Sequence, residues 1–356
     1  MTVEDVDEAE GVSRCTVDDL VELRTFRAAN YEASNRVHDQ VRADWLFLRH
    51  PSRPDDRPTI WVCRRDAHIV GTLASIPFDV KVEDRYHRGS WGVDLMVDPQ
   101  WRGAGIAPAL TEARRRSCCV SAGLSISDGA HRSALRRRST DMGDVPKFLR
   151  LVDPTAILHW EGAPRPVRLL ALPLVTPALW LLDQVDRART RHVDLVHVDT
   201  FDERVDALWE AESARYGVIS RRDSSWLKWR FDECPDRGAY RRYYLLHRQH
   251  LFGYLVVRRT TWSGHPALAV IDYFARPDDT ARLLSASLRV ARELGAVAVL
   301  CDTLNAQART AFRNGGFFRR RNQGIRFLAY TTDERLKPVV LDPGNWFITA
   351  ADSDLD

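Results

Sequence analysis

Two glycines, Gly103 and Gly105, separate an apolar segment from a segment with helical spacing. Glycine lets the main chain adopt conformations that side chains disfavour, and it lets a ligand approach the backbone closely. A helix that begins just after them leaves several N–H groups unpaired and carries a partial positive charge at that end. The arrangement predicts a cradle of main-chain amides for a phosphate or pyrophosphate, with an ordinary strand-to-helix turn as the alternative.

Two common phosphate-binding patterns do not fit this stretch. The GxxxxGK[ST] nucleotide loop needs a lysine, and no lysine follows Gly105 here. The GxGxxG pattern needs a third glycine, and proline stands at that position, Pro108. A phosphate bound here would therefore rest on main-chain N–H groups rather than on a basic side chain.

The glycines must be positioned by a strand before them and a helix after them. Apolar β-type segments separated by short polar turns predict strands, and apolar residues at three- and four-residue spacing predict helices. The predicted strands are 11–16, 59–63, 69–74, 91–97 and 124–127, and the predicted helices are 18–26, 41–49, 106–117 and 131–138.

A second half of the chain echoes the first. Three short patterns recur in the same order and at nearly constant spacing, which predicts a duplicated domain. They are Trp45-Leu46 with Trp226-Leu227, Gly71-x-Leu73 with Gly253-x-Leu255, and Asp94 to Pro99 with Asp272 to Pro277.

The stretch Gln100-Trp101-Arg102-Gly103-Ala104-Gly105, which follows Val97-Asp98-Pro99 and precedes Ile106-Ala107, resembles the acetyl-CoA-binding motif of the GNAT acyltransferases. The order of predicted strands and helices is also the order that this family has. The resemblance implies an α/β fold of two tandem GNAT-like domains of bacterial type, each a mixed central sheet flanked by helices.

The resemblance also implies how acetyl-CoA would be held, without a metal. The backbones of Leu95, Met96 and Val97 would contact the pantetheine arm, and one of their N–H groups would polarise the thioester. The pyrophosphate would rest on the amides of the residues that form the turn and start the helix: Arg102, Gly103, Ala104, Gly105, Ile106 and Ala107.

Asp94 is the candidate general base. Alternation along the strand places it on one face with Met96, opposite Leu95 and Val97. A carboxylate at this strand position takes the proton of the attacking amine in part of the family. The alternative is a structural carboxylate, which is favoured by Asp272 at the corresponding place in the second half.

The proton donor of many GNAT relatives, a tyrosine on the fourth helix, has no counterpart in this sequence. The matching positions hold Arg138 and Phe312. Tyr31, Tyr216 and Tyr273 are the alternatives, although each can equally be a packing residue.

The second half lacks the glycines at its own strand-to-helix turn and has Asp278 and Asp279 there. Two carboxylates would repel a pyrophosphate, so this half is expected to be a degenerate partner. The predicted organisation is a GNAT-like domain at 1–160, an apolar helical connector at 161–192, a degenerate GNAT-like domain at 193–335 and a C-terminal tail at 336–356.

The connector contains the most apolar run of the chain, residues 167–182, with two prolines inside it. It is short for a bilayer span. A helix packed between the two domains is the favoured interpretation, and a surface that lies on a membrane is the alternative.

Composition narrows the class of protein. With 44% hydrophobic and 28% charged residues and a net charge of +3, the chain is typical of a soluble globular protein, and no nucleic-acid partner is expected. The six cysteines include no CxxC pair, which favours a reducing compartment over a disulfide framework or a metal site. The acidic first residues do not resemble a secretory signal, so a cytoplasmic location is expected.

The sequence thus predicts an N-acetyltransferase that moves an acetyl group from acetyl-CoA to a primary amine by direct attack. A small-molecule amine, first of all an amino sugar, is the expected acceptor by analogy with tandem bacterial relatives. One alternative is a tandem GNAT aminoacyltransferase that uses aminoacyl-tRNA, against which the small net charge counts. The other is a non-catalytic acyl-CoA-binding module, and the oligomeric state is left open.

Overall fold

The computed structural model describes residues 11–159, 164–320 and 323–354. The chain forms one large mixed sheet with helices packed against it, which confirms the predicted α/β class. A hydrophobic core runs continuously through both halves of this sheet.

The first half follows the predicted order of elements. Its helices are α1 (Leu20–Asn30), α2 (Gln40–Phe47), α3 (Ile106–Arg116) and α4 (Asp128–Arg136). Its strands are β1 (Val12–Arg14), β2 (Ile60–Arg65), β3 (His68–Val82), β4 (Arg85–Val97), β5 (Val120–Leu124), β6 (Thr140–Val145) and β7 (Lys147–Leu151).

The second half begins after a long helix, α5 (Arg165–Thr190). Its further helices are α6 (Arg204–Glu212), α7 (Ser224–Leu227), α8 (Thr280–Glu293), α9 (Arg309–Asn314) and α10 (Lys337–Val340). Its strands are β8 (Asp194–Val198), β9 (Val218–Ser220), β10 (Tyr240–His247), β11 (His250–Trp262), β12 (His265–Ala275), β13 (Ala298–Asn305), β14 (Phe318–Arg319), β15 (Ile325–Tyr330) and β16 (Trp346–Thr349).

In the first half, the structure differs from the prediction in the position of one strand and in the length of two others. The fifth strand was expected at 124–127 but is formed by Val120–Leu124, directly after α3. Gly123 lies within this strand, and a Cβ added to it would lie 3.1 Å from the Ile126 side chain. The strands β3 and β4 are also longer than the predicted 69–74 and 91–97, since their pairing continues to a turn at Glu83, which has a φ of +57°.

The two halves exchange strands. β15, from the end of the chain, inserts between β5 and β6 of the first half. β7, from the first half, pairs with β13 and β14 of the second half. Each half is therefore completed by a strand from the other part of the chain, and the predicted limits of 1–160 and 193–335 describe segments of sequence rather than closed units.

The recurring sequence patterns fall on corresponding elements, since Trp45 lies in α2 and Trp226 in α7. Trp45 stacks on Trp229 with ring centroids 4.8 Å apart. The Trp45 indole N–H donates to the Trp229 carbonyl at 2.8 Å, and the Trp229 indole N–H donates to the Trp45 carbonyl at 3.1 Å. These two hydrogen bonds and the ring stacking join the two halves in the core, where both tryptophan side chains are buried.

The segment after residue 335 is integral to the sheet. β16 lies between β9 and β13, and its four residues are buried. The run Trp346-Phe347-Ile348-Thr349 is apolar and β-type, so its burial contributes to the core that joins the halves.

Helix α5 occupies the predicted connector. One face contacts α8 and the short 3-10 helix Pro154–His159, while Leu170, Leu174 and Trp180 on the opposite face are exposed. The expectation of a helix packed between two domains therefore describes only its inner face.

Candidate functional site

The candidate site begins where two parallel strands separate. β4 and β5 pair from Gly89 to Trp91, and their pairing ends there. Further along β4, Asp94 and Leu95 together oppose the single residue Leu73 of β3, which is a β-bulge. A bulge bends its strand, and here it accompanies an opening between β4 and β5. We call this opening the β4–β5 cleft; a cavity of about 640 Å³ lies along it.

The register of β3 and β4 decides which main-chain groups face the β4–β5 cleft. The Asp98 N–H donates to the Val70 carbonyl at 2.9 Å. Because N–H groups alternate in direction along an antiparallel strand, Met96 also points its N–H toward β3, and Val97 points its N–H to the other side. Val97, and not Met96, therefore presents an amide toward the side of β5, and Leu95 lines the cavity.

The glycine turn, residues 98–105, follows β4 directly. Gly103 has a φ of +89° and Gly105 a φ of +81°, which explains why glycine stands at both positions. A Cβ added at either residue would meet no atom within 4 Å, so the space beside both is open. Both glycines are exposed, as a ligand-binding turn requires.

The amides of the glycine turn and of the start of α3 divide into two groups. The Arg102 N–H donates to the Pro99 carbonyl and the Ala104 N–H to the Trp101 carbonyl, at 3.4 and 3.3 Å. Among the described residues, four other N–H groups have no partner in the chain, and these belong to Gly103, Gly105, Ile106 and Ala107. They lie at the N-terminus of α3, where an anion is stabilised by unpaired donors and by the helix dipole.

Arg114 supports the point at which the β4–β5 cleft opens. Its guanidinium donates to the Ser90 carbonyl at 2.8 Å on β4 and to the Ser121 hydroxyl at 2.7 Å on β5. A Cβ at Gly92 would come within 2.9 Å of it, so glycine makes room for the arginine. Complete burial lowers the pKa of Arg114 to about 10. Arg114 therefore connects β4 and β5 by hydrogen bonds at the point where the two strands separate.

The far side of the cavity is lined by α4, from which Ala130, Ser133 and Ala134 face it. None of the residues of α4 is a tyrosine. Of the three alternative tyrosines only Tyr31 lines the cavity, because the Tyr216 hydroxyl donates to the Ala275 carbonyl and the Tyr273 hydroxyl contacts Thr303 inside the second half.

Asp94 and Tyr31 face the same cavity. Burial raises the pKa of Asp94 above its ordinary value of 3.8, the positive charge of Arg27 opposes this, and the charge of Asp354 adds to it. The Tyr31 hydroxyl is buried and has no hydrogen-bond partner among the described residues. Burial, followed by the charge of Asp94, raises the pKa of Tyr31, so this hydroxyl keeps its proton at neutral pH.

Asp354 is a residue of this cavity that the sequence analysis missed. It follows β16, which carries the end of the chain across the sheet to the first half. The Arg42 guanidinium of α2 lies 3.3 Å from its carboxylate. The available signal was the apolar β-type run just before the acidic end, which predicts a strand there and thus a fixed position for the residues that follow.

The corresponding place in the second half is filled by the chain itself. β12 and β13 pair in parallel from Ala267 to Val270 and then separate, as β4 and β5 do. β16 pairs with the continuation of β13, and the Ala351 N–H donates to the Ile271 carbonyl at 3.1 Å on β12. A ligand cannot enter between these strands, because the main chain of β16 already occupies the space.

Asp272, the counterpart of Asp94, belongs to a buried network. Its carboxylate accepts hydrogen bonds from Arg222 at 3.2 Å, from the Tyr254 hydroxyl at 2.7 Å and from the Thr349 hydroxyl at 2.7 Å. Arg222 also bonds Asp352 at 2.5 Å. Burial lowers the pKa of Arg222, and the carboxylates of Asp352 and Asp272 more than offset this, so the guanidinium stays charged.

The substitution Asp272→Asn is expected to destabilise the fold by about 3 kcal/mol, because it removes one partner of a fully buried charge. In this variant Arg222 still pairs with Asp352. The expected loss of unfolding free energy is therefore at the low end of the range for buried ion pairs. Urea unfolding followed by circular dichroism measures the change. An unfolding free energy within about 1 kcal/mol of that of the parent protein would show that Asp272 does not stabilise the fold.

Within residues 11–159, 164–320 and 323–354, no group of three His, Cys, Asp or Glu side chains is arranged to hold a metal ion.

A glycine turn with unpaired amides between a strand and a helix N-terminus is the arrangement that the GNAT resemblance implies. Residues 21–118 match the model of the acetyltransferase (GNAT) family, and this range contains β2, β3, β4, the glycine turn and α3. A comparison with curated proteins gives no match.

Solved structures with the same fold come from several organisms. A GCN5-related N-acetyltransferase from Anabaena variabilis has a TM-score of 0.59 at 12% identity, over 90% of this chain and 72% of that one. A probable N-acyltransferase from Enterococcus faecalis has a TM-score of 0.59 at 10% identity, over 92% and 73%. N-myristoyltransferase from Saccharomyces cerevisiae, solved with myristoyl-CoA, has a TM-score of 0.53 at 13% identity, over 93% and 82%.

At these identities the structural likeness establishes the fold. Together with the family match over residues 21–118, it supports the GNAT superfamily and an acyltransferase. The acyl group, the acceptor and the roles of individual residues go beyond this assignment.

Proposed function

We propose that this protein transfers the acetyl group of acetyl-CoA to a primary amine, with the cofactor in the β4–β5 cleft. The observation that carries the proposal is the contrast between the halves. The same strand pair is open in the first half, where four unpaired amides stand at its end, and is filled by β16 in the second half. The cavity extends from Asp94 and Leu95 of β4 to Thr111 of α3, which lies one helical turn beyond the amide of Ala107.

The amides of Gly103, Gly105, Ile106 and Ala107 would hold the pyrophosphate. The pantetheine arm would run along β4, where the Val97 N–H faces the side of β5 and can donate to the thioester carbonyl. Such a donor stabilises the negative charge that develops on that oxygen during attack. The predicted contacts of Leu95 and Met96 would then be made by their side chains, because the Met96 carbonyl, like its N–H, faces β3.

Asp94 would act as general base. The amine nitrogen attacks the thioester carbon, Asp94 accepts the proton that this nitrogen loses, the C–S bond breaks and the thiolate of CoA leaves. The raised pKa of Asp94 makes it a stronger base than an exposed aspartate. The thiolate takes its proton from solvent, since α4 offers no tyrosine at the cavity wall.

Tyr31 is poorly suited to protonate the thiolate. Its pKa lies above that of an ordinary phenol, whereas a thiol has a pKa of about 8.5, so the transfer would run uphill. Its unpartnered hydroxyl can instead hydrogen-bond the acceptor amine next to Asp94. We therefore assign Tyr31 to acceptor binding.

Tyr31→Phe is expected to raise the KM for the amine about tenfold and to change kcat less than threefold, since it removes about one hydrogen bond. Steady-state kinetics with saturating acetyl-CoA measures both constants. Tyr216→Phe, which removes a buried hydroxyl of the second half, is the matched control. A fall in kcat of a hundredfold at constant KM would make Tyr31 the proton donor after all.

The acceptor is proposed to be a small amine, with amino sugars as the first class to test. Two experiments separate the alternatives. Isothermal titration with acetyl-CoA establishes whether the cleft binds the cofactor, and CoA release over a panel of amines establishes turnover. Binding without release with any amine would favour a non-catalytic acyl-CoA-binding module.

Acyl-chain length is a second variable, because one structural neighbour is an N-myristoyltransferase. Titration with acetyl-, octanoyl- and myristoyl-CoA would determine which acyl group this cavity prefers. An aminoacyl-tRNA donor would give tRNA-dependent transfer and no CoA release, and the net charge of +3 does not favour a polyanionic donor.

A further inference from the structure

Helix α5 has an inner face that fixes it to the second half of the protein. Leu172, Val175 and Leu179 pack on the neighbouring core, and the Ser285 hydroxyl of α8 donates to Asp186 at 2.8 Å. Asp186 also lies 3.6 Å from the guanidinium of Arg150 on β7. The helix is therefore held lengthwise against the protein.

The outer face of α5 is apolar as well. It consists of the exposed residues Val167, Leu169, Leu170, Pro173, Leu174, Pro177, Ala178, Trp180, Leu181 and Val185. The exposed fractions are 75% for Leu170, 74% for Leu174 and 60% for Leu181, so most of the surface of each of these side chains is not buried in the core. A helix that is apolar all round is typical of one that is covered on every side, and a contiguous exposed apolar patch marks a binding surface.

The charged residues of α5 indicate which kind of partner fits this outer face. The helix carries no Asp or Glu from residue 165 to residue 182. Arg165 begins it and Arg191 follows it, and neither has an ion-pair partner among the described residues. An apolar face with arginines at both ends and a tryptophan near one end complements the acyl chains and anionic headgroups of a bilayer surface.

A second copy of the chain fits this surface less well. Two α5 helices packed antiparallel would place Arg165 of one copy beside Arg191 of the other, and two packed parallel would place like residues together. Both arrangements bring uncompensated positive charges into contact.

The helix is long and apolar enough to cross a bilayer by the usual measure of hydropathy. Crossing would require the inner face to leave α8 and the buried Asp186 contacts, so the folded protein can only lay this helix along the surface. We infer that the outer face of α5 docks the protein on an anionic membrane surface, with the helix axis in the plane of the membrane.

Flotation with vesicles of phosphatidylcholine alone and of phosphatidylcholine with phosphatidylglycerol tests this inference on the full chain. We expect the protein to float with the anionic vesicles and much less with the neutral ones. The triple variant Leu170→Ser/Leu174→Ser/Leu181→Ser should lose flotation at least tenfold. Arg165→Gln/Arg191→Gln should weaken binding roughly tenfold to thirtyfold on anionic vesicles and little on neutral ones.

Val17→Ser/Val21→Ser/Val41→Ser is the matched control, since these valines are comparably exposed but lie in the first half. It should float like the parent protein. Titration with acetyl-CoA is an independent measure of folding for each variant, so loss of docking is distinguishable from failure of the proposed enzyme function.

Three results would overturn the inference. The first is a parent protein that does not float with anionic vesicles. The second is equal loss of flotation in the valine control, which would indicate non-specific adsorption. The third is a dimer in light scattering that the leucine variant converts to monomer without any vesicle binding, because a second copy would then be the occupant.

Discussion

The substitution Gly103→Glu is expected to weaken acetyl-CoA binding at least about a hundredfold, or about 2.8 kcal/mol, and to abolish acetyl transfer. Gly103 carries one of the four unpaired amides, and a side chain there would enter the open space beside the turn. A carboxylate at this place would also oppose the charge of the pyrophosphate. Isothermal titration measures the affinity, and thiol release measures the transfer.

A matched control separates this effect from backbone strain. Gly264, in the turn between β11 and β12, has a φ of +77° and equally open surroundings. Glutamate at either glycine incurs about 1–2 kcal/mol of left-handed backbone strain, so the two variants should unfold at similar urea concentrations. Only the variant at Gly103 should lose acetyl-CoA binding. Equal affinity in both would remove the glycine turn from the cofactor site.

A milder change at the same position resolves the cause. Gly103→Ala adds the strain without the charge, so its loss of affinity should fall well short of that of Gly103→Glu. If alanine and glutamate weaken binding equally, the conformation of the turn and not its electrostatic field dominates the interaction.

Local sequence signals predicted the part of the site that is local in the chain. Gly103 and Gly105 mark a turn that needs positive φ, and the apolar spacing after them marks α3. The strand that ends at Val97 and the helix that begins at Ile106 are neighbours in sequence, so propensity and periodicity were sufficient there. The cradle for an anion follows from these elements alone.

The remainder of the site depends on contacts between distant segments. The exchange of β7 and β15 between the halves leaves no periodic signal, because each strand would look the same in either sheet. The pairing of β16 with β9 and β13, and hence the position of Asp354 beside the first-half cavity, likewise depends on tertiary contacts. Periodicity predicts that a strand forms but not which strand it joins.

Asp94 and Asp272 show how the same residue acquires different surroundings. Asp94 lies in a β-bulge and Asp272 directly follows one. The residues that surround each carboxylate in the fold are not predicted by these corresponding positions in the sequence. Asp272 has Arg222, Tyr254 and Thr349 around its carboxylate because β16 brings Thr349 there. Asp94 lines an open cavity and makes no hydrogen bond or ion pair with any described residue.

Asp94→Asn is expected to lower kcat about a hundredfold to ten-thousandfold, the range for loss of a general base, and to leave acetyl-CoA affinity unchanged. Asparagine has nearly the same shape and tolerates the φ of +52° at this position. The base must be ionised to accept a proton, so the rate of the parent enzyme should fall with decreasing pH through a pKa above 3.8. The variant should lack this acid limb.

The stability of Asp94→Asn gives the complementary test. Burial raises the pKa of Asp94 in the folded state, so between 3.8 and that higher value the folded protein binds more protons than the unfolded chain does. The unfolding free energy must then decrease as the pH rises through this interval, and the ionised carboxylate leaves the parent protein less stable at neutral pH. Asparagine carries no charge, so at pH 7 the variant should be at least as stable as the parent.

Loss of activity with undiminished stability would separate Asp94 from Asp272, whose replacement by asparagine removes a partner from a buried ion pair and should unfold the protein more readily. Unchanged kinetics in Asp94→Asn would exclude it as the base. A loss of stability comparable with that of Asp272→Asn would instead assign it to the framework. The pair of variants therefore distinguishes a carboxylate that lines a cavity from one that is enclosed in a hydrogen-bonded network.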